Sequence, residues 1–193
     1  MPSIVHVDQL SKYEGQEVTL EGWVYNRTHK GKLVFLLVRD GYGFAQCVGF
    51  KGEMEPDQFD TLAHIGQESS LRITGTVRAD KRAPGIPGGY EIGITGFEVV
   101  QNMKYEYPIA LKEHGVDFLA DNRHLWMRMP SQWAILRIRA TIIHAIRGWL
   151  DSHGFLNVDT PILTPLACEG TTTLFETDYF GQPAYLAQSG QLY

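Results

Sequence analysis

Two groups of side chains in this sequence have the types and spacing for chemistry. Arg27, Phe35 and Gln46 supply a cation, an aromatic ring and a flat amide within the first quarter of the chain. A single-stranded nucleic acid needs those three groups, for its phosphates, for base stacking and for a base edge. Near the other end, Glu169, Ser189 and Gln191 supply a carboxylate, a hydroxyl and an amide. A hydroxyl and an amide side by side on a sheet face suit a zwitterionic small molecule, and a loop carboxylate can pair with its ammonium group. Each residue also has a plainer reading. Phe35 reads equally as a core ring, Gln46 as a solvated strand residue and Arg27 as a loop charge. Glu169 reads as a loop carboxylate, and Ser189 and Gln191 as surface strand residues.

Other chemistry finds no support. There is no Ser/His/Asp nucleophile elbow, no His-Glu-x-x-His and no Cys-x-x-Cys, and the seven histidines show no metal-ligand spacing. No metal site is expected. The run from Gly85 to Gly89 is not a phosphate loop, because no Gly-Lys-Ser/Thr follows it. The cluster Arg78, Lys81, Arg82 reads as a solvated loop.

The elements that must position these groups fall into two parts. In the first, 17–27 alternates, with Val18, Leu20, Gly22 and Val24 on one face, and Gly22 marks a bend or bulge. Strands follow at 33–40 and 44–50, then a short helix at 55–65, then strands at 69–80 and 90–100. The order β-β-β-α-β-β over about 100 residues is that of an OB-fold barrel, with five strands and one helix. An all-β sandwich is the alternative. Residues 103–130 are polar and irregular, a linker with a short helix near 116–121. Ser131 is the expected N-cap of a long amphipathic helix whose apolar positions are Trp133, Leu136, Ala140, Ile143, Ile146 and Leu150, with Gly154 as its stop. A strand is expected at 155–164. Pro161 within it points to an edge or a subunit interface. Two strands at 174–180 and 184–188 form a hairpin, and the alternation continues to the last residue.

Composition bounds the function. Apolar residues make up 44% and charged residues 20%, enough for packed cores and against wholesale disorder. A net charge of −5 excludes coating nucleic acid by bulk charge, although a local patch remains open. The two cysteines, Cys47 and Cys168, stand far apart and fit a reduced, cytoplasmic setting. No stretch approaches the length of a transmembrane helix and no signal peptide is expected.

These residues together resemble a known family, over essentially the whole chain. Gly22-Trp-Val24 with Arg27, then Phe35 through Arg39-Asp40, then Gln46, are similar to the anticodon-binding OB domain of the asparaginyl-tRNA synthetases. Those are class II enzymes of the aspartyl/asparaginyl/lysyl subgroup. Tyr107-Pro-Ile109, Lys112-Glu-His-Gly115 and Arg123-His-Leu-Trp-Met-Arg128 resemble its linker. Gly154-Phe155 through Pro161-Ile-Leu-Thr164 resembles motif 1, and Glu169-Gly-Thr-Thr-Thr-Leu-Phe175 the mobile loop over the amino acid. Ser189-Gly-Gln-Leu-Tyr193 resembles the amino-acid-binding strand.

The resemblance implies three regions. They are an OB domain at 1–102, a linker at 103–130, and the start of an α+β class II catalytic domain with an antiparallel sheet at 131–193. It implies anticodon contacts from Arg27, Phe35 and Gln46, with Phe35 stacking and Gln46 reading a central uridine. It implies amino-acid contacts from Glu169, Ser189 and Gln191, and a homodimer interface at motif 1 that includes Pro161. The implied substrates are L-asparagine, ATP with Mg²⁺, and tRNA(Asn). Motifs 2 and 3 of the family have no counterpart here, so no catalytic residue is expected within the chain. A truncated enzyme, inactive alone, is the expectation. The alternatives are an aspartyl-tRNA synthetase, including one that charges both tRNAs, a noncatalytic single-stranded nucleic-acid-binding module, and a relative resembling asparagine synthetase.

Overall fold

In the computed structural model, residues 2–166, 174–191 and 193 are described. They divide into two compact units, Met1–His114 and Gly115–Tyr193.

The first unit opens with a short strand β1 (Ser3–Val5) and a 3₁₀ segment, Val7–Tyr13. Then come β2 (Glu17–Lys30), β3 (Leu33–Arg39), β4 (Phe44–Phe50), helix α1 (Pro56–His64), β5 (Ser70–Ala79), β6 (Gly85–Ile86) and β7 (Tyr90–Gln101). Pairing runs β2–β3–β4–β7–β5, and the first half of β2 also pairs with β5. The five long strands therefore form the mixed, rolled sheet of an OB fold. Its thin seam is the parallel β4–β7 contact of Gln46, Cys47 and Val48 with Glu91, Ile92 and Gly93.

Period-two alternation creates the core. Val34, Leu36 and Val38 on β3, Ala45 and Cys47 on β4, Ile73 and Val77 on β5, and Ile92 and Ile94 on β7 are all buried inside. Helix α1, with proline at its first turn, plugs one end of the barrel with Phe59, Leu62 and Ala63. The long β2 serves two neighbours because it bends. Gly22 allows the close approach, since a Cβ there would lie 2.5 Å from the Arg39 carbonyl oxygen. The bulge falls next to it, between Val24 and Asn26.

The second unit has helices α2 (Val116–Asp121), α3 (Arg123–Trp126) and α4 (Pro130–Ser152). A small antiparallel sheet follows, in the order β8 (Leu163–Thr164), β10 (Gln182–Leu186), β9 (Glu176–Tyr179). Pro130 takes the first helical position of α4, so its N-cap is Met129 and not the expected Ser131. The helix stops as its glycine requires. Gly154 has φ +83°, its N–H donates to the Asp151 carbonyl, and the Phe155 N–H donates to that of Leu150. This is a Schellman ending.

Three further expectations differ from the structure. Among the described residues the strand expected over 155–164 pairs only at Leu163–Thr164, and Pro161 has no N–H for a ladder. The hairpin turn is Phe180–Gly181, both with positive φ, and Pro183 belongs to β10. The strand β10 ends at Leu186, so 188–191 is irregular rather than a floor strand. Helix α4 also carries more apolar surface than one stripe. Ile135, Ile138, Ile142, Ile146 and Trp149 are all more than half exposed, and no α4 residue is buried.

Candidate nucleic-acid interface and amino-acid site

The outer face of the barrel is set by register. Strand partners share a face, so the pairings can be read as rows. One row runs Asn26–Leu37–Gln46–Glu91–Arg78, and the next Thr28–Phe35–Val48–Gly93–Thr76. Phe35 and Gln46 thus stand in adjacent rows on adjacent strands, both partly exposed. The Gln46 Nε2 amide donates to Glu91 Oε2 at 2.9 Å. That bond orients the carboxamide and leaves its oxygen to accept from a base donor. Gly93 contributes a floor without a side chain, and the Arg78 guanidinium fills the space: a Cβ on Gly93 would lie 2.8 Å from Arg78 Cζ. The arrangement offers a ring, an oriented amide and a cation on one shallow surface. Beneath it, on the inner face, burial pushes the Cys47 thiol far above its ordinary value, and the Glu91 charge adds to this. Cys47 is therefore an inert core residue.

Arg27 does not join this face. It pairs with Leu36, an inward residue, because the bulge shifts the alternation of β2 by one residue. Its Nη1 donates to the Ala63 carbonyl near the end of α1, where a cation also complements the helix dipole. Arg78 and Glu91 are the site residues that sequence reasoning missed. The alternation of β5, with Leu71, Ile73, Gly75 and Val77 buried, puts Arg78 outward. What the sequence does not carry is the pairing that brings Arg78 and Glu91 beside Gln46.

In the second unit, Glu169 lies outside the described residues. Ser189 is half-buried and Gln191 exposed, both beyond the end of β10. The Gln191 N–H reaches the Ser189 hydroxyl at 3.4 Å. Ser189 and Pro161 line one small cavity of about 150 Å³. Its wall is tight, because a Cβ on Gly190 would lie 2.6 Å from Thr160 Cγ2. Pro161 is exposed. Among the described residues no group of three His, Cys, Asp or Glu side chains could hold a metal ion. Nor, among the described residues, is any helix long and apolar enough to cross a membrane.

Known proteins match both units. Residues 18–100 match the OB-fold nucleic acid binding domain of the tRNA anticodon-binding family. Residues 115–193 match tRNA synthetases class II (D, K and N). The chain is 56% identical over 188 residues to an asparagine–tRNA ligase of Chloroflexus aurantiacus, covering 97% of this chain and 42% of that protein. It is 51% identical over 189 residues to one of Koribacter versatilis, with 97% and 42% covered. Among solved structures, asparaginyl-tRNA synthetase from Pyrococcus horikoshii, complexed with asparaginyl-adenylate, superposes with a TM-score of 0.88 at 39% identity. That match covers 100% of this chain and 44% of the other. The chain thus spans about two-fifths of the length of these relatives. It belongs to the class II tRNA synthetases of the aspartyl, lysyl and asparaginyl group, and corresponds to the N-terminal portion of an asparagine–tRNA ligase.

Proposed function

We propose that the whole protein activates L-asparagine with ATP and transfers it to tRNA(Asn), and that the first unit reads the anticodon. The observation that carries this is the barrel's outer face, where the Phe35 ring and the oriented Gln46 amide stand in adjacent rows. Phe35 is the stacking platform for a base. The free Gln46 oxygen accepts from the N3–H of a central uridine, a donor that cytidine lacks at that atom. Arg27 fixes the end of α1 in this state, so the reading rests on Phe35 and Gln46. In the second unit Ser189, Gln191 and Glu169 hold the amino acid.

The reaction is attack of the asparagine carboxylate on the α-phosphorus of ATP with departure of pyrophosphate, then transfer to the terminal ribose. Positioning and cation stabilisation of phosphate charge lower such a barrier. Among the described residues no three His, Cys, Asp or Glu side chains gather as a metal cluster, and Mg²⁺ would be held largely by the ATP phosphates. Exposed Ile135, Ile138, Ile142 and Ile146 on α4, with exposed Leu156 and Ile162 after it, support a homodimer through this region. Work in translation fits a cytoplasmic location.

Replacing Gln46 by alanine is expected to weaken binding of a central-uridine anticodon stem-loop by about 1–2 kcal/mol, as for one lost base hydrogen bond. Binding of a stem-loop with another central base should hardly change, as titration of both RNAs would show. The activity itself is tested by charging tRNA(Asn) with the full-length protein, with asparagine and aspartate in competition. Asparagine is expected to be attached in large excess. Preferential attachment of aspartate would overturn the assignment.

A further inference from the structure

Large apolar side chains that the first unit exposes gather around one cleft. Ile4, Trp23, Tyr42 and Val100 are 43–64% exposed, and all four line a cavity of about 530 Å³. That volume falls among ligand-binding clefts, about 300–1,000 Å³. The cleft lies where the first half of β2 pairs with β5, a part of the barrel wall separate from the rows of Phe35 and Gln46. Its walls are held in place. The His6 ring packs on Tyr42 with centroids 4.3 Å apart. The Asp40 carboxylate accepts from the N–H groups of Val7, Tyr42 and Gly43, which ties the end of β1 to the β3–β4 turn. The Arg39 guanidinium lies over the Trp23 ring. Such walls lose little freedom when something binds between them.

The surface beside the cleft is acidic. Glu21 stands two residues before Trp23 on β2, and its row runs Glu21–Arg72–Glu98 across β2, β5 and β7. Arg72 bonds both carboxylates. Glu17 stands further along the same face and accepts from the Thr95 hydroxyl at 2.9 Å. Three carboxylates and one guanidinium leave a formal charge of −2, which repels phosphate and favours a cation. The spacing also selects the occupant. An apolar subsite at Trp23 and an acidic one at Glu21 lie two strand residues apart, about 7 Å, and an extended peptide repeats its side chains on one face at that same interval.

We propose that this cleft docks an extended segment of a partner protein whose side chains are apolar and basic. A large apolar side chain of the partner fills the space between Ile4, Val100, Trp23 and Tyr42. A lysine or arginine beside it meets Glu21 and Glu98, with Glu17 adding to the field. The surface is a protein-docking site and takes no part in reading RNA.

The test titrates a fluorescein-labelled peptide, two leucines flanked by lysines, with the full-length protein and reads anisotropy. Saturable binding is expected, weakening as salt rises. The same peptide with serine for leucine should bind about 10-fold more weakly or worse, the worth of one buried apolar side chain. Ile4→Ser combined with Val100→Ser, both at the surface, should cost the leucine peptide a similar factor while the unfolding transition stays in place. Glu98→Gln, also at the surface, should weaken binding about 2- to 5-fold and flatten its salt dependence. An anticodon stem-loop should leave the peptide bound. Affinity unchanged in both variants, or equal for this peptide and one with glutamate for lysine, would overturn the proposal. Displacement by the stem-loop would overturn it in favour of a nucleic-acid surface. Absence of binding to the full-length protein would overturn it too, and binding to this chain alone would then show that the protein's own remaining residues cover the cleft.

Discussion

Glu68→Ala is expected to destabilise the first unit by about 3–5 kcal/mol, because it strands a cation in the barrel wall. The Glu68 carboxylate accepts from Arg39 Nη2 at 2.7 Å, with side-chain exposures of 3% and 15%. Arg39 also lies over the Trp23 ring, 5.6 Å from its centroid. Its Nε has no hydrogen-bond partner among the described residues, so little is left to hold the guanidinium once the carboxylate is gone. Surface pairs offer the contrast. Arg72 bonds both Glu21 and Glu98, but all three are open to water, and removing one partner there should be nearly silent. The double replacement Arg39→Met with Glu68→Met should recover most of the loss, since no buried charge remains. Urea unfolding of the four proteins decides the matter. A Glu68→Ala loss below about 1 kcal/mol would show that water solvates Arg39 freely.

Leu36→Ala is the second large effect, about 2–5 kcal/mol of stability. Leu36 is fully buried beside Val34 and Val38 in the barrel core. Its neighbour Phe35 points the other way and is half-buried on the outer face. The same truncation at adjacent positions should therefore do different things. Phe35→Ala should leave the unfolding transition nearly in place and weaken RNA binding by about 1–3 kcal/mol through the lost stack. Leu36→Ala should shift unfolding strongly, with binding restored wherever the protein remains folded. Equal stability losses at both positions would mean that Phe35 is a core ring, the plainer of its two sequence readings.

That pair of residues shows what the sequence carries and what it does not. Alternation over 33–39 and 44–50 separates inward from outward positions without any structure. Helix α1, β7 and the Gly154 stop are legible for similar local reasons of periodicity and glycine chemistry. Arg27 is different. Gly22 signals a bend or bulge in this strand, but nothing local fixes its place after Val24, and one extra residue there sends Arg27 to α1 instead of the outer face. Glu91 and Arg78 come beside Gln46 only through the nonlocal β4–β7–β5 pairing. The strand expected at 155–164 fails for a related reason. Its apolar residues suit a strand, but pairing is a property of partners, and among the described residues only Leu163 and Thr164 stand in register with a partner strand, with the Ile162 carbonyl accepting from the Ala187 N–H beside them.

If the barrel face distinguishes bases in single-stranded RNA, as proposed, its affinity must depend on the base it faces. The most direct measurement is the affinity of the chain for anticodon stem-loops identical except at the central base, at one fixed salt concentration. Uridine is expected to be preferred over cytidine by about 1–2 kcal/mol, because the Gln46 oxygen, left open by the bond from its amide to Glu91, meets a donor on one and an acceptor on the other. Equal affinity for all central bases would contradict it, leaving a face that binds RNA by charge and stacking without reading it.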